Sequence, residues 1–260
     1  ELIVDGKRIL ASHPGSTVGS FVVPENLSIA DAMSMSEALV TYVKEKNFSG
    51  IRITLPPTLY QRRLSNYMDF SFFQQGFTYL KRDVTSILFL ENSLDKNLAK
   101  FKSSHLRAVR NAQEKGVNVR QSNDFDSFYH ILEQNLKIRH GVSPTHTLAE
   151  LKNIHALFPD RVNLFAAFVK DVMVAGVVNF VVNDYVVLAF YISHDEAYQE
   201  FRAVNLLFYS IFDWAIQQGF RIYDFGTFTV NEEPNMGLGR FKENFGASGI
   251  FRDTIELKLS

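Results

Sequence analysis

Several positions carry side chains suited to acid–base or anion-binding chemistry. His146 stands in the Pro-containing loop Pro144-Thr145-His146-Thr147. A neutral imidazole there suits removal of a proton from an attacking ammonium. Thr147 and Glu150 equally read as the capping box of a helix beginning at Leu148, and Thr147 can cap while His146 points elsewhere. Asp224 follows apolar Ile222 and Tyr223 and precedes Phe225-Gly226. An acid at the end of a buried strand is costly unless paired. It either accepts hydrogen bonds from the glycine turn or acts as a base of raised pKa. Lys242 sits beside Phe241, one turn before Phe245-Gly246. It reaches a phosphate or a reacting carbonyl, or it is a surface charge on a helix that Phe241 and Phe245 anchor. Asn205, at the start of a helix, is a cap-like residue or a donor contact. Asn235, before Gly237, is a turn residue or a ligand.

The segment Leu94–Gly116 gives the clearest helical pattern. Leu94, Leu98, Phe101, His105, Val109 and Ala112 share one face, and Lys96, Lys100, Arg107, Arg110 and Lys115 lie on the other. The Arg107–Arg110 face either grips a polyanion, such as a tRNA acceptor end or a nucleotide-linked sugar, or is a solvated face diluted by Glu114. His105 falls on the apolar side and reads as a core histidine. Other motifs fail. Gly15-Ser16-Thr17-Val18-Gly19 does not place serine at the middle of a nucleophile elbow. Gly237-Leu238-Gly239 lacks the third glycine of a dinucleotide loop, and Asp224-Phe225-Gly226 has no accompanying nucleotide loop or catalytic His-Arg-Asp. His140 and His146 lack a carboxylate partner pattern, so no metal is expected.

These residues must be positioned by a mixed α/β chain. Short strands are predicted at Leu2–Val4, Arg8–Ala11, Phe21–Val23 and Ile51–Leu55, with a helix from Ser28 to Asn47 between them. A helix over much of Leu59–Gln75, ending at Gly76, and a strand over Val84–Leu90 follow. After Gly116 come a strand (Val117–Val119), a helix (Phe125–Arg139), the loop Gly141–Thr147 and a short helix (Leu148–Phe158). Three strands then form a meander: Val162–Val169, Val172–Val182 and Tyr185–Ile192, joined by hairpin turns at Lys170-Asp171 and Asn183-Asp184. Val204, Leu207, Phe208, Ile211 and Ala215 stripe a helix stopped by Gly219. Strand Ile222–Phe225, helix Leu238–Asn244 and a last strand near Ile250–Leu259 complete the chain. The meander feeds a parallel crossover.

The 260 residues suit one large domain or two small ones, and 46% hydrophobic with 21% charged content excludes general disorder. The formal net charge, 27 − 28 = −1, argues against a surface given over wholly to nucleic acid, though not against a local basic patch. The absence of cysteine excludes a disulfide scaffold, a thiolate zinc site and a cysteine nucleophile. No apolar run approaches the ~18 residues of a membrane span, and the sequence shows no signal peptide, so a cytoplasmic location is expected.

The element order resembles that of the GNAT acyltransferases. His105–Val117 resembles the basic helix joining the two GNAT-like halves of the Fem family, the peptidoglycan-bridge aminoacyltransferases. Tyr223-Asp224-Phe225-Gly226 with Asn235–Ala247 is similar to that family's C-terminal signature, which includes Lys242. Gly15–Gly19 and Pro144–Leu151 resemble a bacterial subgroup of Fem-like proteins. The resemblance implies tandem GNAT-like halves with mixed, partly splayed sheets. Residues 1–93 would form an incomplete first half, 94–116 the basic linking helix, and 117–260 the C-terminal GNAT-like domain. It also implies transfer of an acyl or aminoacyl group to an amine, from acyl-CoA or aminoacyl-tRNA, with no metal. Envelope-precursor or polysaccharide modification is the implied pathway. Where the third meander strand splays, Tyr191 and Ser193 would lie near the reacting groups, with main-chain amides binding the oxyanion. Lys242, Arg107 and Arg110 would hold phosphates. The sequence departs from the usual CoA pattern at Gln199-Glu200-Phe201-Arg202-Ala203-Val204. This stretch has none of the glycines that let a pyrophosphate approach a helix N-terminus, and Glu200 adds a repulsive charge. An inactive GNAT-like binding module and an ordinary acyl-CoA N-acetyltransferase are the alternatives.

Overall fold

A computed structural model describes residues 1–140 and 143–259; Gly141 and Val142, which open the loop before His146, lie outside the described residues. In chain order the first elements are β1 (Leu2–Val4), β2 (Lys7–Ala11), α1 (Ile29–Glu45), β3 (Gly50–Thr54), α2 (Tyr67–Gln74) and β4 (Thr78–Phe89). Next come α3 (Leu94–Leu98), α4 (Ser103–Glu114), β5 (Val117–Ser122), α5 (Phe125–His140), α6 (Leu148–Leu157), β6 (Val162–Val169), β7 (Val172–Asn183) and β8 (Val186–His194). The last are α7 (Ala203–Gln217), β9 (Ile222–Thr227), β10 (Thr229–Val230), β11 (Glu233–Pro234), α8 (Met236–Glu243) and β12 (Ser248–Lys258). Short 3₁₀ turns occupy Thr58–Tyr60 and Glu196–Phe201.

The chain gathers into two compact units. The first comprises, among the described residues, Glu1–Thr85, Thr227–Asn235 and 250–259. Its strands run in the order β1-β2-β3-β12-β4, with β2 parallel and β12 antiparallel to β3. Ser28 caps α1, its Oγ accepting from the Asp31 N–H at 3.0 Å. Ala32, Val40 and Val43 of α1 and Met68 and Phe72 of α2 bury against Ile51, Ile53, Ile255 and Leu257.

The second unit comprises Ser86–Gly226 and Met236–Gly249. Its strand order is β9-β8-β7-β6-β5; β5 to β8 are antiparallel, while β8 and β9 are parallel across the α7 crossover. Alternation sorts the side chains. Phe165, Ala167 and Val177 pack with α4 and α7, whereas Leu164, Ala166, Phe168 and Val178 pack with α5 and α6 on the opposite face.

Three predicted elements differ. The helix read over Leu94–Gly116 is two helices, broken at residues 99–102. There Phe101 turns inward against Phe212 and Phe245, at 5.9 and 5.0 Å between centroids, and the Lys102 N–H donates to the Asn244 carbonyl at 2.9 Å. The helix read over Leu59–Gln75 is reduced to the turn at Thr58–Tyr60 and α2, with Gln61 Oε1 accepting from the Ser65 N–H at 3.1 Å between them. Phe21–Val23 forms no strand, because pairing toward β3 stops at the Gly19 N–H on the Thr54 carbonyl, 2.7 Å.

The second unit's sheet opens where β8 leaves β9. Ladder pairs join Val186 to Ile222, Val187 to Tyr223 and Leu188 to Asp224, and none follows, although β8 continues to His194 and β9 to Thr227. On the other edge of β8 the register with β7 jumps from Tyr191↔Val178 to Ala189↔Asn179, so Phe190 is an extra residue. Such a bulge bends and twists its strand. The far end of β8 is also tied to α5: Ser193 Oγ donates to the Ile131 carbonyl at 3.4 Å, and Asn135 Nδ2 donates to the His194 carbonyl at 2.9 Å.

Candidate active site

His146 and Tyr191 meet on the α5–α6 side of the opening. Thr147 caps α6 through a complete capping box with Glu150, which fixes the loop just ahead of the helix. Tyr191 Oη accepts from the His146 main-chain N–H at 3.0 Å and lies 3.1 Å from His146 Nδ1. Tyr129 Oη donates to the His146 carbonyl at 2.9 Å, so two phenols hold this residue's peptide groups. The imidazole packs on Phe190, the bulge residue, at 5.2 Å. Burial pushes the Tyr191 phenol above its ordinary pKa, against the opposing hydrogen bonds from His146 and Thr145. The phenol therefore stays protonated near neutral pH and orients its neighbour rather than removing protons.

A groove of about 570 Å³ lies on the α4–α7 side, walled by Ser104, His105, Arg107 and Asn111 of α4, and by Glu200, Arg202 and Asn205. Arg202 adopts left-handed backbone geometry (φ 54°, ψ 31°) at the N-cap of α7 and supplies no side-chain cap. The Asn205 N–H turns back to the Arg202 carbonyl at 3.0 Å, so the first turn of α7 is closed by main chain alone. Asn205 is 8% exposed, and its Nδ2 has no hydrogen-bond partner among the described residues. The same holds for His105 Nε2. His105 stacks edge-on against Phe245 at 4.6 Å, and burial lowers its pKa, so it is at once a core residue and a groove wall. The Glu200 carboxylate does not stand alone: Lys115 Nζ bonds its Oε2 at 3.2 Å and its carbonyl at 3.0 Å. Arg107 and Arg110 both point to solvent, and only Arg107 lines the groove.

Asp224 and Lys242 converge on Gly226, away from the groove. Both side chains are fully buried. Asp224 Oδ1 accepts from the Gly226 N–H at 2.7 Å, and Lys242 Nζ donates to the Gly226 carbonyl at 2.7 Å. A buried acid and a buried ammonium thus clamp the two peptide groups of one residue, at φ 78°, just past the last β8–β9 pair. The surface-charge reading of Lys242 gives way to this buried position. Asn235 belongs to the first unit, where its N–H donates to the Phe228 carbonyl at 2.8 Å. Ser193 is buried at the end of β8.

The structure thus brings together His146 with Tyr191, Arg107 with Asn205, and Asp224 with Lys242. Sequence reading missed Tyr129, Phe190 and Asn179, whose Oδ1 accepts from the buried Tyr223 hydroxyl at 2.6 Å. Arg202 lay within the glycine-less stretch already singled out, but its left-handed geometry has no sequence signal. Among the described residues no group of three or more His, Asp or Glu side chains is placed to hold a metal, and no helix is long and apolar enough to cross a membrane.

An antiparallel meander, a parallel crossover and a strand pair that parts midway define an acyl-transfer fold. The acetyltransferase (GNAT) domain family matches residues 99–243, more than half of the sequence; the chain belongs to that family and is an N-acyltransferase. Among solved structures it is similar to FemX, at TM-score 0.74 and 14% identity over 96% of this chain and 80% of that one. It is also similar to the C-terminal domain of a putative lysylphosphatidylglycerol synthetase from Agrobacterium fabrum, at TM-score 0.62 and 9% identity over 87% and 73%. A tandem GNAT protein from the clavulanic acid biosynthesis pathway gives 0.56 and 11% over 98% and 76%. These likenesses bear out the expected mixed α/β, tandem-GNAT, Fem-like fold. Sequence comparison with curated proteins returns no match.

Proposed function

We propose that the protein moves an aminoacyl group from aminoacyl-tRNA to an amine of a cell-envelope precursor. The opening between β8 and β9 carries the reading: the ladder ends at Leu188, and the His146–Tyr191 pair and the Arg107–Asn205 groove lie on opposite faces of the same sheet. The acceptor amine attacks the ester carbonyl carbon from the His146 side. The N–H groups on the β9-facing side of β8 beyond Leu188 have no ladder partner in β9 and receive the developing oxyanion. In the tautomer this reading assigns, His146 Nδ1–H faces Tyr191 Oη, which leaves the Nε2 lone pair to take the proton from the attacking nitrogen. The carbonyl then re-forms, the C–O ester bond breaks, and the ribose oxygen leaves with the proton handed on from His146 Nε2. Asp224, Gly226 and Lys242 act as positioning groups that hold the end of β9 in place.

A polyanionic donor is supported by the groove's character. Arg107, Arg202 and the orphan Asn205 Nδ2 offer donors to acceptor oxygens. Aminoacyl-tRNA is favoured over acyl-CoA because residues 199–204 lack glycine, and because the exposed Arg107–Arg110 face extends beyond the groove. The acceptor class follows from the Fem resemblance and the lysylphosphatidylglycerol synthetase likeness: a peptidoglycan precursor, including nucleotide-linked forms, or a lipid headgroup. Melting of the full chain with CoA, with bulk tRNA and with neither tests the donor. Saturation at a hundred times Kd adds about 2.7 kcal/mol. A rise with tRNA and none with CoA is expected; a rise with CoA alone, or with neither, overturns the donor assignment.

A further inference from the structure

We propose that the first unit carries a docking surface for a bilayer with anionic headgroups, an inference that does not rest on the transferase reading. The segment from Arg62 to Phe70 holds Leu64, Tyr67 and Phe70 in solvent, at 66%, 43% and 51% exposure. The opposite side of α2 is anchored, with Met68, Ser71 and Phe72 buried. Tyr67, Phe70 and Phe73 recur every three residues, so they lie along one side of α2. Phe73 rests against the exposed ring of Tyr79 at 5.0 Å. Arg82 lies across Tyr79 at 4.3 Å and Phe251 at 3.8 Å, and Asp253 holds its Nε at 2.9 Å. An aromatic row thus runs from Tyr67 to Phe251, with exposed Arg62 and Arg63 beside its Leu64 end, whereas the charge of Arg82 is already met by Asp253 at Nε and Nη2, 2.9 and 3.1 Å.

Soluble surfaces scatter their exposed apolar residues, and a contiguous row marks a contact site. Tyrosine and phenylalanine settle at headgroup depth, a protruding leucine reaches the acyl boundary, and arginines attract anionic phosphates. Nucleic acid fits less well. Arg82 already covers faces of Tyr79 and Phe251 that bases would stack on, and Leu64 offers no stacking platform.

Sedimentation of the full chain with vesicles of phosphatidylcholine, with and without phosphatidylglycerol, tests the proposal. The protein is expected to sediment only with the anionic vesicles. Each arginine near such a surface is worth about fivefold in partitioning. Arg63→Glu is therefore expected to weaken binding at least about fivefold, and Leu64→Asp by about tenfold. Leu157→Asp, at an equally exposed apolar position of α6, should change nothing. Unchanged melting temperatures establish that the variants are folded, and Arg63→Glu carries the test if Leu64→Asp is not. The proposal falls if the protein stays in the supernatant, if the patch variants sediment like the parent, or if Leu157→Asp loses as much. It also falls if the patch variants lose bulk-tRNA retention while vesicle binding is untouched, since the surface would then serve RNA.

Discussion

Replacing Asn205 with leucine should stabilise the protein and damage donor binding at once. Asn205 is buried in the first turn of α7, with Nδ2 facing no acceptor among the described residues. A buried donor left unpaired costs about 1–3 kcal/mol. Leucine has nearly the same volume and no such donor, so Asn205→Leu should recover about 1 kcal/mol after some loss to imperfect shape. For a chain of this size that raises Tm by roughly 2–4 °C. In the donor complex the sign reverses, because the amide then meets a phosphate or carbonyl oxygen. Losing a hydrogen bond to a charged group costs about 1.5–3 kcal/mol, or roughly ten- to hundredfold in Kd. Calorimetry of the free protein and titration with tRNA read the two effects separately. A variant that melts lower than the parent and binds tRNA equally well would refute the reasoning, since Asn205 would then be a structural residue.

Tyr191→Phe removes the acceptor that fixes His146 and should lower kcat about ten- to hundredfold with donor KM unchanged. His146→Ala should cost about 10²–10⁴, and steady-state kinetics should find the double variant no worse than His146→Ala alone. Lys242→Met loses a charged hydrogen bond to Gly226 and should cost about 2–3 kcal/mol, seen as a Tm drop of roughly 4–12 °C. Donor KM should stay put, whereas a phosphate-gripping lysine would move KM without moving Tm. Burial, aided by the nearby Asp253 charge, raises the Asp69 pKa above 3.8. The folded state therefore holds that proton more tightly than the unfolded chain, and stability is lost as pH rises through the window above 3.8. Asp69→Asn should be the more stable form in urea at pH 7, with the gap closing below 3.8.

What the sequence disclosed was mostly local. Apolar runs and polar turns at Lys170-Asp171 and Asn183-Asp184 marked the meander, and the Val204–Ala215 stripe marked the crossover helix. The Thr147–Glu150 box and the hydrogen bond from Gly226 to Asp224 were likewise legible, because each joins residues a few positions apart. What it concealed was set by distant partners. The pattern over Leu94–Gly116 is unbroken, yet Phe101 leaves the helix for Phe212 and Phe245. Nothing near Ile250–Leu259 reveals that β12 pairs with β3. Lys242 looks like a surface charge until the Gly226 carbonyl is found at its tip. The Phe190 bulge depends on the match between β7 and β8, not on either strand alone.

The central claim is that β8 and β9 part after Leu188 and that transfer happens in the opening. Amide hydrogen exchange by NMR, on the free protein and with tRNA bound, tests it most directly. Val186–Leu188 should be protected throughout; beyond Leu188, the amides on the β9-facing side should exchange fast in the free protein and slow when the donor end enters. Uniform protection from Val186 to Ser193 in the free protein, unchanged by tRNA, would contradict the account.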